Sequence, residues 1–153
     1  MSFAIVFCLV CVGIFSIGSV SAASNEKERS VATERNVVAQ SFLNQKLWLW
    51  QQRLSLKDWN LTVRMVRAGE LKPRTLGNIH WDVDTKIAGI RVLDPADYTM
   101  PFNEMLQDME FTIVHELVHL QLSSLPRSEA SRRAEEHAVN QLTEALLKLD
   151  RKQ

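Results

Sequence analysis

The strongest constraint on the fold is an apolar segment interrupted by polar groups, His115-Glu116-Leu117-Val118-His119. Residues 111–120 are otherwise mostly apolar, which predicts a buried helix. Side chains four residues apart lie on the same face of a helix, so both imidazoles can reach one metal ion. Glu116 lies on a neighbouring part of that surface, where it can contact a water molecule at the metal without binding the ion. Burying two histidines and a glutamate without partners is costly, and a metal ion removes that cost.

The first 22 residues contain no charged side chain and end in the small residues Val20-Ser21-Ala22. This pattern predicts a secretory signal peptide over residues 1–22, and hence a secreted or periplasmic protein. The apolar run is also long enough for an uncleaved membrane anchor, which is the alternative. Cys8 and Cys11 both lie within it, so a cleaved chain has neither a disulfide nor a cysteine nucleophile.

The remainder of the chain predicts one domain. Residues 23–33 are polar and predict a flexible spacer, and residues 34–150 are enough for a single hydrophobic core. All 18 basic and all 18 acidic residues follow residue 22, which gives a formal net charge of zero. Because there is no basic excess, nucleic acid is not an expected partner. A membrane is a partner only if the N-terminal segment stays attached, and the oligomeric state is left open.

Hydrophobic periodicity predicts an α+β domain. It indicates a helix over residues 34–54, three short strands over 60–66, 77–83 and 87–93, and helices over 104–123 and 129–149. The strands are expected to form an antiparallel meander, because connections rich in Gly, Pro and Asp separate them. The apolar set expected to bury the last helix is Ala134, Ala138, Val139, Leu142, Ala145, Leu146 and Leu149.

A catalytic zinc ion usually has three protein ligands and one open position, so a third ligand is needed. Glu135 and Glu136 on the last helix are the candidates. Glu135 projects near the centre of the predicted apolar stripe, whereas Glu136 projects to its flank, where a metal is also accessible to substrate. Asn140, one turn after Glu136, can hydrogen-bond a ligand histidine. We favour Glu136 and keep Glu135 as the alternative.

The segments at 115–119 and 135–140 resemble those of the gluzincin metallopeptidases, which carry the HExxH pattern. The resemblance is to the smallest, single-domain members in particular. The resemblance rests on His115-Glu116-Leu117-Val118-His119 and on Glu135-Glu136-His137-Ala138-Val139-Asn140. It implies a minimal zincin-like fold with an N-terminal helix, a small sheet, an active-site helix and a C-terminal glutamate helix. It also implies that the last strand before the active-site helix, residues 87–93, borders the cleft and pairs with an extended peptide. A SprT-like arrangement would instead use a later histidine, for which His137 is the candidate.

The resemblance implies a zinc-dependent peptidase with one Zn²⁺ and a peptide or protein substrate. Its metal ligands would be His115, His119 and Glu136, and its general base Glu116. The alternatives are a non-catalytic zinc-binding scaffold or interaction domain, and an amide hydrolase acting on cell-wall peptides. The candidates for a second donor to the reacting carbonyl oxygen are Tyr98, His80 and His137.

Overall fold

The computed structural model describes residues 18–126 and 131–152, with side chains from residue 25 onward. Within these residues it confirms the predicted α+β class, with three α-helices and one three-stranded sheet. The predicted start of the last helix, residues 129–130, lies outside them. In chain order the elements are α1 (Gly18–Arg53), β1 (Asn60–Val66), β2 (Gly77–Asp82), β3 (Ile87–Leu93), α2 (Phe102–Gln121) and α3 (Arg132–Asp150), with short 3-10 turns at Ala68–Glu70 and Pro95–Asp97.

The first helix begins earlier than the sequence predicts. Residues 23–33, predicted as a flexible spacer, are helical and continue into the predicted helix without a break. Every side chain from Asn25 to Glu34 is exposed, so no core holds this stretch. Glu, Lys and Arg are good helix formers, and polarity alone therefore does not distinguish an exposed helix from a flexible segment. The predicted signal peptide falls mostly on residues 1–17, outside the described residues.

The sheet is mixed, so the predicted antiparallel meander is wrong. β3 lies in the middle, parallel to β1 and antiparallel to β2. Val63 of β1 and Ile79 of β2 both lie opposite Ile90 of β3, which is fully buried. The turn at 83–86 is short enough for a β2–β3 hairpin. The longer connection at 67–76 carries the chain to the far side of β3, which leaves β1 and β3 parallel.

α2 occupies the centre of the fold, where it contacts α1, α3, β2 and β3. Spacings of four residues place Met105, Met109, Ile113 and Leu117 on one face of α2, and all of them are fully buried. The residues that complete the core around this face are Ala39, Leu43, Leu47 and Trp50 of α1, Ile79, Ala88, Ile90 and Val92 of the sheet, and Val139 and Leu147 of α3. α2 is therefore a firmly packed support for the polar side chains that it also carries.

One buried acid on α2 has a structural role. Glu110 is only 6% exposed. Its Oε1 accepts a hydrogen bond from the Trp50 indole nitrogen at 3.0 Å and forms an ion pair with the Lys46 ammonium at 2.8 Å. Both partners lie on α1, so Glu110 fixes how α1 and α2 pack against each other.

We expect Glu110→Ala to lower the free energy of unfolding by about 3 kcal/mol, because it leaves an indole N–H and an ammonium group without their acceptor. Chemical denaturation monitored by tryptophan fluorescence measures the loss. Glu104→Ala on the same helix removes an exposed carboxylate and is the matched control, with an expected change below about 1 kcal/mol. Equal effects of the two substitutions would contradict the role assigned to Glu110.

Candidate metal centre

α2 brings the two histidines of the predicted motif together. His115 Nε2 and His119 Nε2 lie 3.1 Å apart, and the two ring centroids are 4.7 Å apart. Their side chains are 17% and 11% exposed, which places them where the core meets solvent. The helical spacing of four residues therefore produces the shared face that the sequence predicts.

α3 adds a carboxylate to this pair. The Glu136 oxygens lie 3.5 Å from His115 Nε2 and 3.4 Å from His119 Nε2. Within the described ranges, 18–126 and 131–152, His115, His119 and Glu136 form a group whose ligand atoms all lie within 4.8 Å of one another. One nitrogen from each histidine and one carboxylate therefore converge on a small volume that could hold a metal ion.

The buried face of α3 differs from the predicted one. α3 buries Val139, Thr143 and Leu147, whereas Leu142 and Leu149 of the predicted apolar set are exposed. The hydrophobic residues of α3 cover a wide arc, so their positions alone did not fix which part faces the core. The observed orientation directs both glutamates toward α2. At 100° per residue they lie about 40° and 60° on opposite sides of Val139.

The second nitrogen of each histidine has a partner on α3. His115 Nδ1 lies 3.0 Å from Asn140 Oδ1, and His119 Nδ1 lies 3.0 Å from Glu135 Oε1. Because both oxygens are acceptors, the protons belong on Nδ1, and each Nε2 keeps its lone pair for a metal. Glu135 is thus occupied as an orienting partner. Glu136, and not Glu135, is the glutamate whose oxygens lie near the Nε2 atoms of both histidines.

Burial and the neighbouring imidazole of His119 lower the pKa of His115. The shift favours the neutral ring, which is the form that binds a metal.

Glu116 lies beside the cluster and lines the same cleft. It is 8% exposed. Burial, together with the charge of Glu136, raises the pKa of Glu116 to about 7. A cation bound nearby would lower that pKa again, because positive charge favours the carboxylate. Glu116 is therefore placed to exchange a proton with a molecule in the cleft.

A cleft of about 730 Å³ opens in front of these residues. One wall is formed by α2 and the start of α3, and the other by β2 and the loop at 72–76. The expectation that residues 87–93 border the cleft is wrong, because β3 is enclosed between β1 and β2. The strand beside the site is β2, which lies at the edge of the sheet.

β2 approaches α2 closely at Gly77. A Cβ atom there would lie 2.7 Å from the carbonyl oxygen of Arg91 and would also overlap the methyl group of Thr112. Only glycine permits this approach. Thr112 precedes Glu116 by one helical turn, so the contact fixes the start of β2 at the level of the site.

The three candidates for a second donor have different surroundings. His80 lines the cleft, and its Nε2 lies 3.2 Å from a guanidinium nitrogen of Arg91. The Tyr98 hydroxyl donates to Asp108 at 3.0 Å and is not among the residues that line the cleft. His137 is exposed on α3 and likewise does not line the cleft. His80 is the candidate that lies beside the site.

The loop before β2 contributes to the cleft, which the sequence does not predict. Lys72, Arg74 and Leu76 line the cleft, as does Arg132 at the start of α3. The loop has no hydrophobic periodicity, and a sequence pattern marks it only as a connection. The sequence carries no signal for this contribution, because the predicted meander would put β2 in the middle of the sheet, whereas β2 lies at its edge.

Comparisons of the chain with protein-family models, with curated proteins and with solved structures gave no match. Among residues 18–126 and 131–152, no helix combines the length and the apolar character needed to cross a membrane.

Proposed function

We propose that the chain is a secreted, gluzincin-like zinc metallopeptidase that hydrolyses peptide bonds. One observation carries the proposal. Ligand atoms at about 2.0–2.1 Å from a tetrahedral zinc ion are about 3.3 Å from one another. His115 Nε2 and His119 Nε2 lie 3.1 Å apart, and each lies near a different Glu136 oxygen, with Oε2 at 3.5 Å from His115 and Oε1 at 3.4 Å from His119. This agreement supports a three-ligand site with one position open to the cleft.

The roles of the residues follow from their positions. His115, His119 and Glu136 would hold the ion, while the hydrogen bonds that the two rings donate to Asn140 and Glu135 orient them. Bound Zn²⁺ would supply a Lewis acid that polarises a carbonyl group and lowers the pKa of a water molecule. Glu116 would act as the general base, taking a proton from the attacking water molecule and passing it to the leaving amine.

The cleft supports a peptide as substrate. β2 leaves one edge unpaired among the described residues and lines the cleft along its length, so an extended chain can lie beside it. His80 on β2 is the candidate that lines the cleft and would assist at the carbonyl oxygen. The secreted or periplasmic location rests on the uncharged residues 1–22, and an uncleaved anchor would keep the same site at a membrane surface.

The test combines metal content with hydrolysis. We expect the purified protein, incubated with zinc and dialysed, to retain one ion per chain and to cleave an unstructured protein such as casein. A chelator should stop the cleavage and added zinc should restore it, because the ion supplies the Lewis acid. Metal analysis and fragment analysis by mass spectrometry give the two readouts.

The possible results separate the alternatives. Zinc without cleavage of casein or of cell-wall fragments would leave the non-catalytic scaffold. Cleavage of cell-wall fragments alone would favour the amide hydrolase. Folded protein that retains no zinc would contradict the proposed function.

A further inference from the structure

The loop at 72–76 gives the cleft a cationic wall. Lys72 and Arg74 are exposed and line the same cleft as the histidine pair. Among residues 18–126 and 131–152, neither side chain forms a salt bridge. The loop therefore offers two positive charges to whatever occupies the cleft.

The backbone of this loop is held in place at several points. The carbonyl oxygen of Lys72 accepts hydrogen bonds from the Thr75 nitrogen at 3.2 Å and the Thr75 hydroxyl at 2.8 Å. At its end, the carbonyl oxygen of Leu76 accepts a hydrogen bond from the Leu93 nitrogen at 2.9 Å. At its start, Leu71 is buried against Leu93. The two cations thus project from an anchored turn.

Arg74 occupies an unusual backbone conformation. Its φ of 64° lies in the left-handed region, which disfavours side chains other than glycine. Glycine or asparagine would relieve this strain, and neither would bring a charge to the cleft. The conformation fixes where the Arg74 side chain leaves the turn.

The acids of the cleft are already engaged with the candidate metal centre. Glu135 pairs with His119, and Glu136 lies against both imidazoles. Glu116 is buried beside them. A bound divalent ion would offset two of these three negative charges, after which the cations that line the cleft predominate.

The loop also lies close to the reacting position. Gly77 follows the loop directly, and its backbone packs against Thr112, one helical turn before Glu116. One turn of helix is about 5.4 Å. A group bound by the loop would therefore lie within a few residues of the bond presented to Glu116.

We propose that Lys72 and Arg74 select peptides that carry a carboxylate near the scissile bond, supplied by an Asp or Glu side chain or by the peptide's own C-terminus. The inference rests on the proposed function, since it assumes that the cleft binds peptides. Two exposed charge pairs of ordinary strength correspond to a preference of about fivefold.

The test measures binding, so that it does not depend on turnover. Zinc-loaded Glu116→Gln protein is titrated into three fluorescein-labelled peptides of one sequence, followed by anisotropy. The first has Glu residues flanking its centre and an amidated C-terminus, the second has Gln at those positions, and the third is the Gln peptide with a free C-terminus. We expect the Glu peptide, the free-terminus peptide or both to bind about fivefold tighter than the amidated Gln peptide. Tighter binding of the Glu peptide would identify a side-chain carboxylate as the recognised group, and tighter binding of the free-terminus peptide would identify the C-terminal carboxylate. At about 1 M NaCl the preference should disappear.

Matched charge variants locate the effect. Adding Lys72→Gln and Arg74→Asn should bring the affinities within about twofold of each other. Lys27→Gln with Lys57→Gln removes the same charge from residues that do not line the cleft and should leave the preference intact. Thermal unfolding confirms that each variant is folded.

Equal binding of all three peptides, binding of none, or a preference that survives in the loop variant would overturn the inference. Casein hydrolysis is judged separately. Hydrolysis without a carboxylate preference contradicts this inference alone, whereas a preference without hydrolysis contradicts only the assignment as an enzyme.

Discussion

Glu116→Gln is expected to reduce peptide hydrolysis by about 10³-fold while leaving zinc content unchanged. Gln has nearly the shape of Glu but cannot accept and return a proton at neutral pH. Glu116 is not one of the three groups that converge on the candidate ion position, so the metal should remain. Initial rates on a fluorogenic peptide and metal analysis of the same preparation measure both properties.

A control on the same helix isolates the role of the carboxylate. Glu104→Gln removes an exposed acid from the first turn of α2 and should keep the wild-type rate within about twofold. If Glu116→Gln cleaved at the wild-type rate, another group would be the base. Loss of zinc together with activity would instead place Glu116 among the ligands.

The second large effect concerns the adjacent glutamates of α3. Glu136→Gln is expected to weaken zinc binding by more than about 100-fold, and Glu135→Gln by about tenfold, because loss of an orienting hydrogen-bond partner typically costs 10–100-fold. The two substitutions change the same functional group at neighbouring positions. Competition against a chromophoric chelator at fixed pH measures both affinities.

The variant with the larger loss of zinc affinity identifies which glutamate is the ligand. Glu136 is 51% exposed, so its replacement should leave the fold intact, and circular dichroism checks this for both variants. The opposite order would make Glu135 the ligand, with the start of α3 rearranging on binding. No change in either variant would leave the chain without the proposed site.

Most elements of the fold could be read from the sequence, but the helical state of residues 23–33 and the pairing of the strands could not. Alternation of side chains sets the bounds of β1 and β3, and apolar periodicity sets α2. Neither pattern shows which strands are neighbours, because a strand with one buried face can pair in a parallel or an antiparallel direction. The parallel β1–β3 pair depends on where the chain goes between Val66 and Gly77, and that path has no periodic signal.

The candidate site likewise has one part that the sequence predicts and another that it does not. His115 and His119 share a face through local helix geometry, and so their convergence follows directly from their spacing. The choice between Glu135 and Glu136 depends on how α3 is rotated against α2, which is a property of packing. The cations of the loop at 72–76 reach the cleft only because β2 is an edge strand.

Few buried side chains hold α3 against the rest of the fold, so a bound ion would contribute to the stability of this helix. Only Val139, Thr143 and Leu147 of α3 are buried, yet the helix carries the proposed third ligand, Glu136, and the hydrogen-bond partners of both imidazoles. A cation bound by residues of both α2 and α3 would therefore connect two helices that few apolar contacts join. Part of its binding free energy would stabilise the folded state of the C-terminal helix. Stripping the metal should loosen the last helix first, so the ion would govern resistance to proteolysis at this end of the chain as well as chemistry.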